Sequence, residues 1–204
     1  MGGGPATYVV GPQDTLYSIA WRNGLDFRDL ARWNHIGPDY HIFVGETLVL
    51  RPTGAVPPAP KRAKPTPLTE ASAMHPPKPA SVAASGKWVW PTDRTSAPRP
   101  VPGGGILLFG RVGQDVRAAC AGRVVYTGSG LRGYGNLIII KHGESLLSAY
   151  AHNRQLLVHE GQELIAGEVI AHMGEGPHQI AALYFEIRQN GKPIDPLPFL
   201  NGSN

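Results

Sequence analysis

A proline-rich segment divides this chain into two parts and sets the strongest limit on how it can fold. Residues 52–87 read PTGAVPPAPKRAKPTPLTEASAMHPPKPASVAASGK, and nine of them are proline. Bulky apolar residues are almost absent there, so the segment cannot bury enough surface to offset the entropy lost on ordering. We therefore predict a basic linker at 52–87, with one folded domain at 7–51 and a second at 88–201.

The positive charge of the chain is concentrated in that linker. The formal net charge is +4 at pH 7. Residues 52–86 contribute +3 of it, from Lys61, Arg62, Lys64 and Lys78 against Glu70. A nucleic-acid-binding domain would carry its basic residues on a folded helix or groove, so we predict no nucleic-acid partner. A basic tether is compatible with a nearby anionic polymer or membrane surface.

Targeting and redox signals are sparse. No run of about 18 apolar residues occurs, so no membrane-spanning helix is predicted. The first residues lack the basic and apolar regions of a secretory signal, and none is expected in this sequence. Cys120 is the single cysteine, which predicts a small buried side chain rather than a disulfide or a reactive thiol.

The N-terminal part has the pattern strand, helix, helix, strand. Residues 8–10 and 47–50 are the strand candidates. Asp14 is placed to cap the first helix, Gly24 to end it, and Asp26 to cap the second helix. We expect the two strands to pair antiparallel, because they must lie together to cover the helices.

This part of the chain, YVVGPQDTLYSIAWRNGLDFRDLARWNHIGPDYHIFVGETLVL, resembles the LysM domain. The resemblance implies binding to glycans that contain N-acetylglucosamine, usually peptidoglycan in bacteria. It places the glycan groove between the loop before the first helix and the loop after the second. The residues so implied are Asp14, Thr15, Leu16, Asn34, His35, Ile36 and Gly37. Helix capping is the alternative role for Asp14 and Asn34.

From Trp88 onward, short apolar segments alternate with turns that contain glycine. Examples are ILLF, GRVVYTG, NLIIIKH and LYFEIR, and helix signals are nearly absent. The segment NLIIIK is apolar at consecutive positions, which predicts a strand buried on both faces. We therefore predict an all-β C-terminal domain, and a chain that is mainly β with a small βααβ module at its N-terminus.

Two stretches of this second domain, GRVVYTGSGLRGYGNLIIIKHGESLLSAYAHN and ALYFEIRQNGKPIDP, resemble the LytM, or M23, family of zinc peptidases. That family binds zinc through an early histidine, an aspartate four residues later, and the second histidine of a late His-x-His pair. The first histidine of the pair and another in a Tyr-x-His segment assist catalysis. These positions fall on Gly103, Leu107, Tyr184, Ala182 and His152. Only His152 is retained, so the resemblance implies a catalytically degenerate domain without zinc or another cofactor.

The other histidines show no spacing that would rebuild a metal site. His142, His159, His172 and His178 form no His-x-His or His-x3-His pair. The groove of the family is instead expected to hold a segment of a partner protein, because aromatic side chains in a concave site favour protein partners. The candidate groove residues are Leu107, Arg132, Tyr134, Tyr150, His152 and Tyr184. Packing in the β core is the alternative for Tyr150 and Tyr184, and a solvated loop position is the alternative for Arg132.

The order LysM domain, proline-rich tether, degenerate M23 domain resembles the NlpD family of amidase activators. That resemblance implies a non-enzymatic protein that binds an N-acetylmuramoyl-L-alanine amidase, relieves its autoinhibition, and holds peptidoglycan glycan strands at the division septum. It also implies the periplasm of a Gram-negative bacterium and an outer-membrane lipid anchor. The lipid-bearing cysteine is absent here, so the anchor is expected on a longer precursor. Two alternatives stay open: a structural peptidoglycan-binding protein without an amidase partner, and an active zinc endopeptidase.

Overall fold

The structure is a computed structural model, and it describes residues 7–51 and 87–202. Apart from Lys87, the predicted linker lies outside the described residues. None of the helices in the described ranges has the length and apolar content needed to cross a membrane.

The N-terminal module is a two-stranded sheet with two helices. Its elements are β1 (Thr7–Val9), α1 (Leu16–Asn23), α2 (Phe27–Trp33) and β2 (Thr47–Val49). The strands pair antiparallel as predicted, with Tyr8 opposite Leu48. Helix α1 is capped one residue later than expected, by Thr15 rather than Asp14. The Thr15 side chain accepts from the Ser18 N–H, and the Ser18 side chain accepts from the Thr15 N–H, which forms a capping box.

The remaining helix ends of this module follow the sequence prediction. Gly24 ends α1 with φ at 65°, a left-handed conformation that favours glycine. Asp26 caps α2 by accepting from the Arg28 N–H at 2.8 Å. The apolar faces of both helices then pack under β2 into a small core. Its buried members are Val10, Leu16, Ile19, Ala20, Trp21, Phe27, Leu30, Ala31, Leu48 and Leu50.

The C-terminal domain is built on one large antiparallel sheet. Its strands are β3 (Arg99–Pro100), β4 (Ile106–Phe109), β5 (Asp115–Arg117), β6 (Gly122–Gly128), β7 (Asn136–Lys141), β8 (Leu146–Leu156), β9 (Glu163–Leu164), β10 (Val169–Met173), β11 (Ala182–Gln189) and β12 (Lys192–Ile194). The main strand order is β3-β4-β11-β8-β7-β6-β9. Strand β10 pairs with β5 and β8, and β12 pairs with β11. A short helix, α3 (Leu197–Leu200), closes the domain, so the predicted mainly β class is confirmed.

Strand β7 shows how the two faces of this sheet differ. Ile138 and Ile140 are buried in the domain core, which also contains Phe185. Leu137 and Ile139 point to the opposite face, because side chains alternate along a strand, and they are buried as well. The prediction that NLIIIK is covered on both faces is therefore confirmed, and the cover of the second face comes from elsewhere in the chain.

Candidate functional site

The centre of the candidate site is Tyr184 together with its neighbours on the two adjacent strands, on the sheet face away from the core. Tyr184 of β11 lies opposite Leu107 of β4 on one side and opposite Ala151 of β8 on the other. Directly opposed residues in antiparallel strands share one face of the sheet. Ala182 precedes Tyr184 by two residues and shares that face, and it is buried. The structure thus brings Leu107, Ala182 and Tyr184 together as an apolar floor.

Two further rings stand beside this floor. The ring of Tyr134 lies edge-on to Tyr184, with centroids 5.6 Å apart, and the ring of His152 is 6.1 Å from Tyr184. His152 holds a left-handed backbone with φ at 63°, and its N–H donates to the Tyr134 carbonyl at 2.9 Å. Burial lowers the pKa of His152, so the ring is neutral near pH 7. The result is a neutral aromatic cluster at the edge of the floor.

A chain of polar groups runs along β11 from the floor toward the end of the strand. The Tyr184 hydroxyl donates to Glu186 Oε2 at 2.5 Å and lies 3.0 Å from the Gly104 carbonyl. Arg188 Nε donates to Glu186 Oε1 at 2.6 Å. Burial, and then the bond to the Glu186 carboxylate, raise the pKa of Tyr184. The hydroxyl therefore stays protonated, and its proton is already donated in the bond to Glu186.

These groups do not form a zinc site. Gly103 has no side chain and lies in the turn before β4 with φ at 90°. Leu107 has no lone pair, and the neutral Tyr184 hydroxyl is a poor zinc ligand. In the described ranges, 7–51 and 87–202, no group of three His, Cys, Asp or Glu side chains is placed to hold a metal ion. The side chains at the positions that the resemblance assigns to zinc ligands therefore do not fit that ion.

Two of the predicted groove residues are placed differently from the rest. The prediction that Tyr150 lines the groove is wrong: its side chain is fully buried, its ring is 5.2 Å from Phe185, and its hydroxyl accepts from the Ala119 N–H at 2.8 Å. The cause is strand parity, because Ala149 and Ala151 occupy the groove face and Tyr150 between them must point to the core. Arg132 is exposed in the loop between β6 and β7.

In the N-terminal module, the residues predicted to contact glycan around the start of α1 all have structural contacts. The Leu16 side chain has no exposed surface, so its assignment to a glycan groove is wrong: the helical spacing of Leu16 with Ile19 turns it into the core. Thr15 is the helix cap described above. The Asp14 carboxylate accepts from the Gly11 N–H at 2.9 Å and from the Tyr8 hydroxyl at 2.7 Å.

The second predicted glycan loop keeps more of its surface free. Asn34 is engaged inside the module: its Nδ2 donates to the Leu30 and Val49 carbonyls, and its Oδ1 accepts from the Val49 N–H. His35 and Gly37 are exposed, and Ile36 is half-buried. These three residues remain candidates for glycan contact.

Glu186 and Arg188 belong to the site but were not predicted from the sequence. Both side chains are almost fully buried, although they occupy alternate positions of an apolar strand together with Tyr184. A signal was present, because two charged residues at i and i+2 in an otherwise buried strand must either face solvent or find partners. Their partners lie partly in the N-terminal module, which sequence spacing alone does not indicate.

Comparison with known proteins agrees with this architecture. Residues 8–51 match the LysM domain family, and residues 102–196 match Peptidase family M23. Among solved structures, a putative peptidase M23 from Pseudomonas aeruginosa superposes with a TM-score of 0.51 at 24% identity, covering 61% of this chain and 53% of that one. Lysostaphin from Staphylococcus simulans gives 0.50 at 24% identity, over 58% of this chain and 54% of that one. These structural matches establish the fold.

Sequence relatives cover more of the chain. A lipoprotein NlpD/LppB homolog from Pseudomonas aeruginosa is 43% identical over 95% of this chain and 76% of its own length. The murein hydrolase activator NlpD of Escherichia coli is 36% identical over 96% of this chain and 68% of its own length. The uncharacterized lipoprotein YgeR of Escherichia coli is 40% identical over 96% and 81%. The chain therefore belongs to the NlpD family of murein hydrolase activators and related lipoproteins, which join a LysM domain to a domain of the M23 fold.

Proposed function

We propose that this chain is a non-catalytic activator of an envelope N-acetylmuramoyl-L-alanine amidase. Its groove, defined as Leu107, Tyr134, His152 and Tyr184, would hold a segment of that amidase. The observation that carries the proposal is the direct pairing of Leu107 with Tyr184. The family resemblance matches these two positions to zinc ligands of M23 peptidases. The description of relatives as murein hydrolase activators supports it.

The chemistry of the groove favours a protein segment as its ligand. Its floor is apolar, and the partly exposed rings of Tyr134 and His152 form a rim beside Tyr184. Aromatic anchors in a concave surface supply much of the binding energy in protein interfaces. Activation further requires that the groove bind the open state of the amidase more tightly than the closed state.

The LysM module would hold the activator on peptidoglycan glycan strands, through the loop of His35, Ile36 and Gly37. We place the protein in the Gram-negative envelope, with a lipid anchor on its precursor and enrichment at the septum. This placement is supported by relatives described as lipoproteins. A covalent connection between the two binding modules raises the effective concentration of the activator where its amidase works.

The test is dye release from labelled peptidoglycan by a purified envelope amidase of the same organism, with and without this protein. We expect release only in the mixture. Tyr184→Asp places a charge on the apolar floor beside the buried Glu186 carboxylate, and should weaken activation at least about 30-fold, as for a hot-spot loss of about 2 kcal/mol. Tyr134→Ala removes a rim ring without breaking the Tyr184–Glu186 bond, and should also weaken activation.

The matched control is Ile165→Asp, which introduces the same aspartate at an apolar side chain that is 71% exposed. It should activate as the parent does, and far-ultraviolet circular dichroism should show all three variants folded. Release by this protein alone would indicate a hydrolytic site and contradict the proposal. Intact peptidoglycan binding without activation of any envelope amidase would favour a structural cell-wall protein.

A further inference from the structure

The LysM module packs on the same sheet face that carries the groove. Trp21 of α1 and Phe27 of α2 belong to one continuous buried cluster with Ile139, Leu147 and Ala149 of the sheet. Lys141 follows Ile139 by two residues on this face. Its ammonium lies 5.7 Å from the Phe27 ring centroid and 6.0 Å from that of Tyr40. The second apolar face of β7 is therefore covered by the chain's own N-terminal module.

Arg188 ties the module directly to the groove. Its guanidinium stacks on the Trp21 ring at 3.7 Å, and its Nη1 donates to the Trp21 carbonyl at 2.6 Å. The same side chain holds Glu186, which in turn accepts from the Tyr184 hydroxyl. A continuous set of contacts thus runs from the groove floor to the LysM helix.

The hairpin after β11 extends this contact. Arg28 Nη2 donates to Asn190 Oδ1 at 2.5 Å. A Cβ at Gly191 would lie 2.5 Å from the backbone of Leu25 and Asp26, so the two main chains approach as closely as glycine allows. The module and the hairpin therefore have complementary surfaces, which indicates a specific contact.

The interface also contains polar groups whose burial is costly. Trp21 Nε1 is buried and has no hydrogen-bond partner. The Glu186–Arg188 ion pair is almost fully buried beneath the module. An unpaired buried N–H destabilises the closed arrangement, and water would satisfy it once the module moves away. Burial of an ion pair likewise has a desolvation cost that exposure removes. These features are typical of contacts that open, rather than of a permanent core.

We propose that the LysM module acts as an intramolecular cover of the sheet face that carries the groove, and that it competes with the amidase for Arg188 and for the apolar surface of β7 and β8. This inference rests on the proposed function and adds a closed and an open state to it. Residues 52–86 connect the modules, so the cover can leave the sheet without leaving the protein.

The closed state lowers the apparent affinity for the amidase. When only a fraction of the molecules is open, the apparent dissociation constant rises by the inverse of that fraction. A closed state favoured about tenfold therefore weakens amidase binding about tenfold. Substitutions that open the contact without altering the groove should therefore tighten amidase binding by the same factor.

The test uses the full chain and the variant Lys141→Glu. This position lies under Phe27 and Tyr40 and outside the groove, and a carboxylate there replaces an attractive cation–ring contact with a repulsive one. The stronger form is the double variant Arg28→Glu, Lys141→Glu. Arg111→Glu is the matched control, because it reverses a charge in the exposed loop between β4 and β5.

Small-angle X-ray scattering reports the opening, and calorimetry with the purified amidase reports the affinity. We expect a larger maximum dimension and about tenfold tighter amidase binding for the opened variants, with Arg111→Glu unchanged. A parent chain whose modules are already separated, a double variant as compact as the parent, or opening without tighter binding would each overturn the inference. Absence of amidase binding by the parent and by every opened variant would refute the proposed function instead, while the scattering still decides whether the cover exists.

Discussion

Asn34→Ala should destabilise the LysM module by about 2–3 kcal/mol, which is large for a unit of this size. The Asn34 side-chain amide bonds to the main chain of β2 as a neighbouring strand would. It accepts from the Val49 N–H at 2.6 Å, and it donates to the Val49 carbonyl at 2.9 Å and to the Leu30 carbonyl at 2.8 Å. Alanine leaves these main-chain groups without that partner. Loss of glycan binding by this variant would therefore follow from loosening of the module.

Hydrogen exchange in the full chain separates this structural role from direct glycan contact. We expect the amides of α1 and α2 to exchange faster in Asn34→Ala, while those of β8 and β11 keep their protection. The control is His35→Asn, because His35 is exposed at φ 54° and asparagine tolerates that conformation. His35→Asn should leave exchange unchanged and reduce glycan binding if the ring touches the sugar. Unchanged exchange in Asn34→Ala would contradict the structural role.

The LysM module shows which features local sequence predicts well. Helix ends depend on neighbouring residues, so Gly24 and Asp26 were assigned correctly from their own chemistry. The error at Asp14 has a simple cause, since Asp14 and Thr15 are both good capping residues and spacing does not choose between them. The role of Asn34 is different in kind. It depends on β2, fifteen positions later, and no local pattern indicates it.

The sheet domain likewise separates what local alternation predicts from what depends on distant segments of the chain. The pairing of Leu107 with Tyr184 joins residues far apart in sequence. No local pattern indicates it, and the family resemblance predicts only that both residues belong to one groove. Tyr150 was misplaced although the alternation along YAHN decides its direction once the register of β8 is known. The apolar run of β7 did indicate two covered faces. What covers the second face lies more than a hundred residues away in the LysM module, beyond the reach of periodicity.

A buried histidine provides the second large expected effect. His142 Nδ1 lies 2.7 Å from the Ala121 carbonyl, and Nε2 lies 2.6 Å from the Ser148 hydroxyl, which also bonds to Tyr150. A carbonyl can only accept, so Nδ1 carries the proton and Nε2 accepts from Ser148. A second proton on Nε2 would disrupt that bond in a site that excludes water. Burial accordingly lowers the pKa of His142 to about 4 from its ordinary 6.5.

The sign of the pH effect follows from this shift. Below about pH 6.5 the unfolded chain binds a proton that the folded chain refuses, so folding stability falls as the pH drops toward 4. Between pH 7 and pH 4.5 the loss from this one group should be about 2 kcal/mol. Urea unfolding followed by tryptophan fluorescence is a suitable measurement, because Trp88 lies 4.9 Å from the His142 ring.

His142→Gln isolates the contribution of this group from all other titrations. The variant should be less stable than the parent at pH 7, since glutamine replaces the two ring hydrogen bonds imperfectly, yet its loss of stability between pH 7 and pH 4.5 should be smaller by about 2 kcal/mol. His159→Gln, which makes the same substitution at an exposed position, is the matched control. An equal pH dependence in His142→Gln and the parent would mean that His142 binds a proton as readily in the folded domain as in the unfolded chain, and would contradict the lowered pKa.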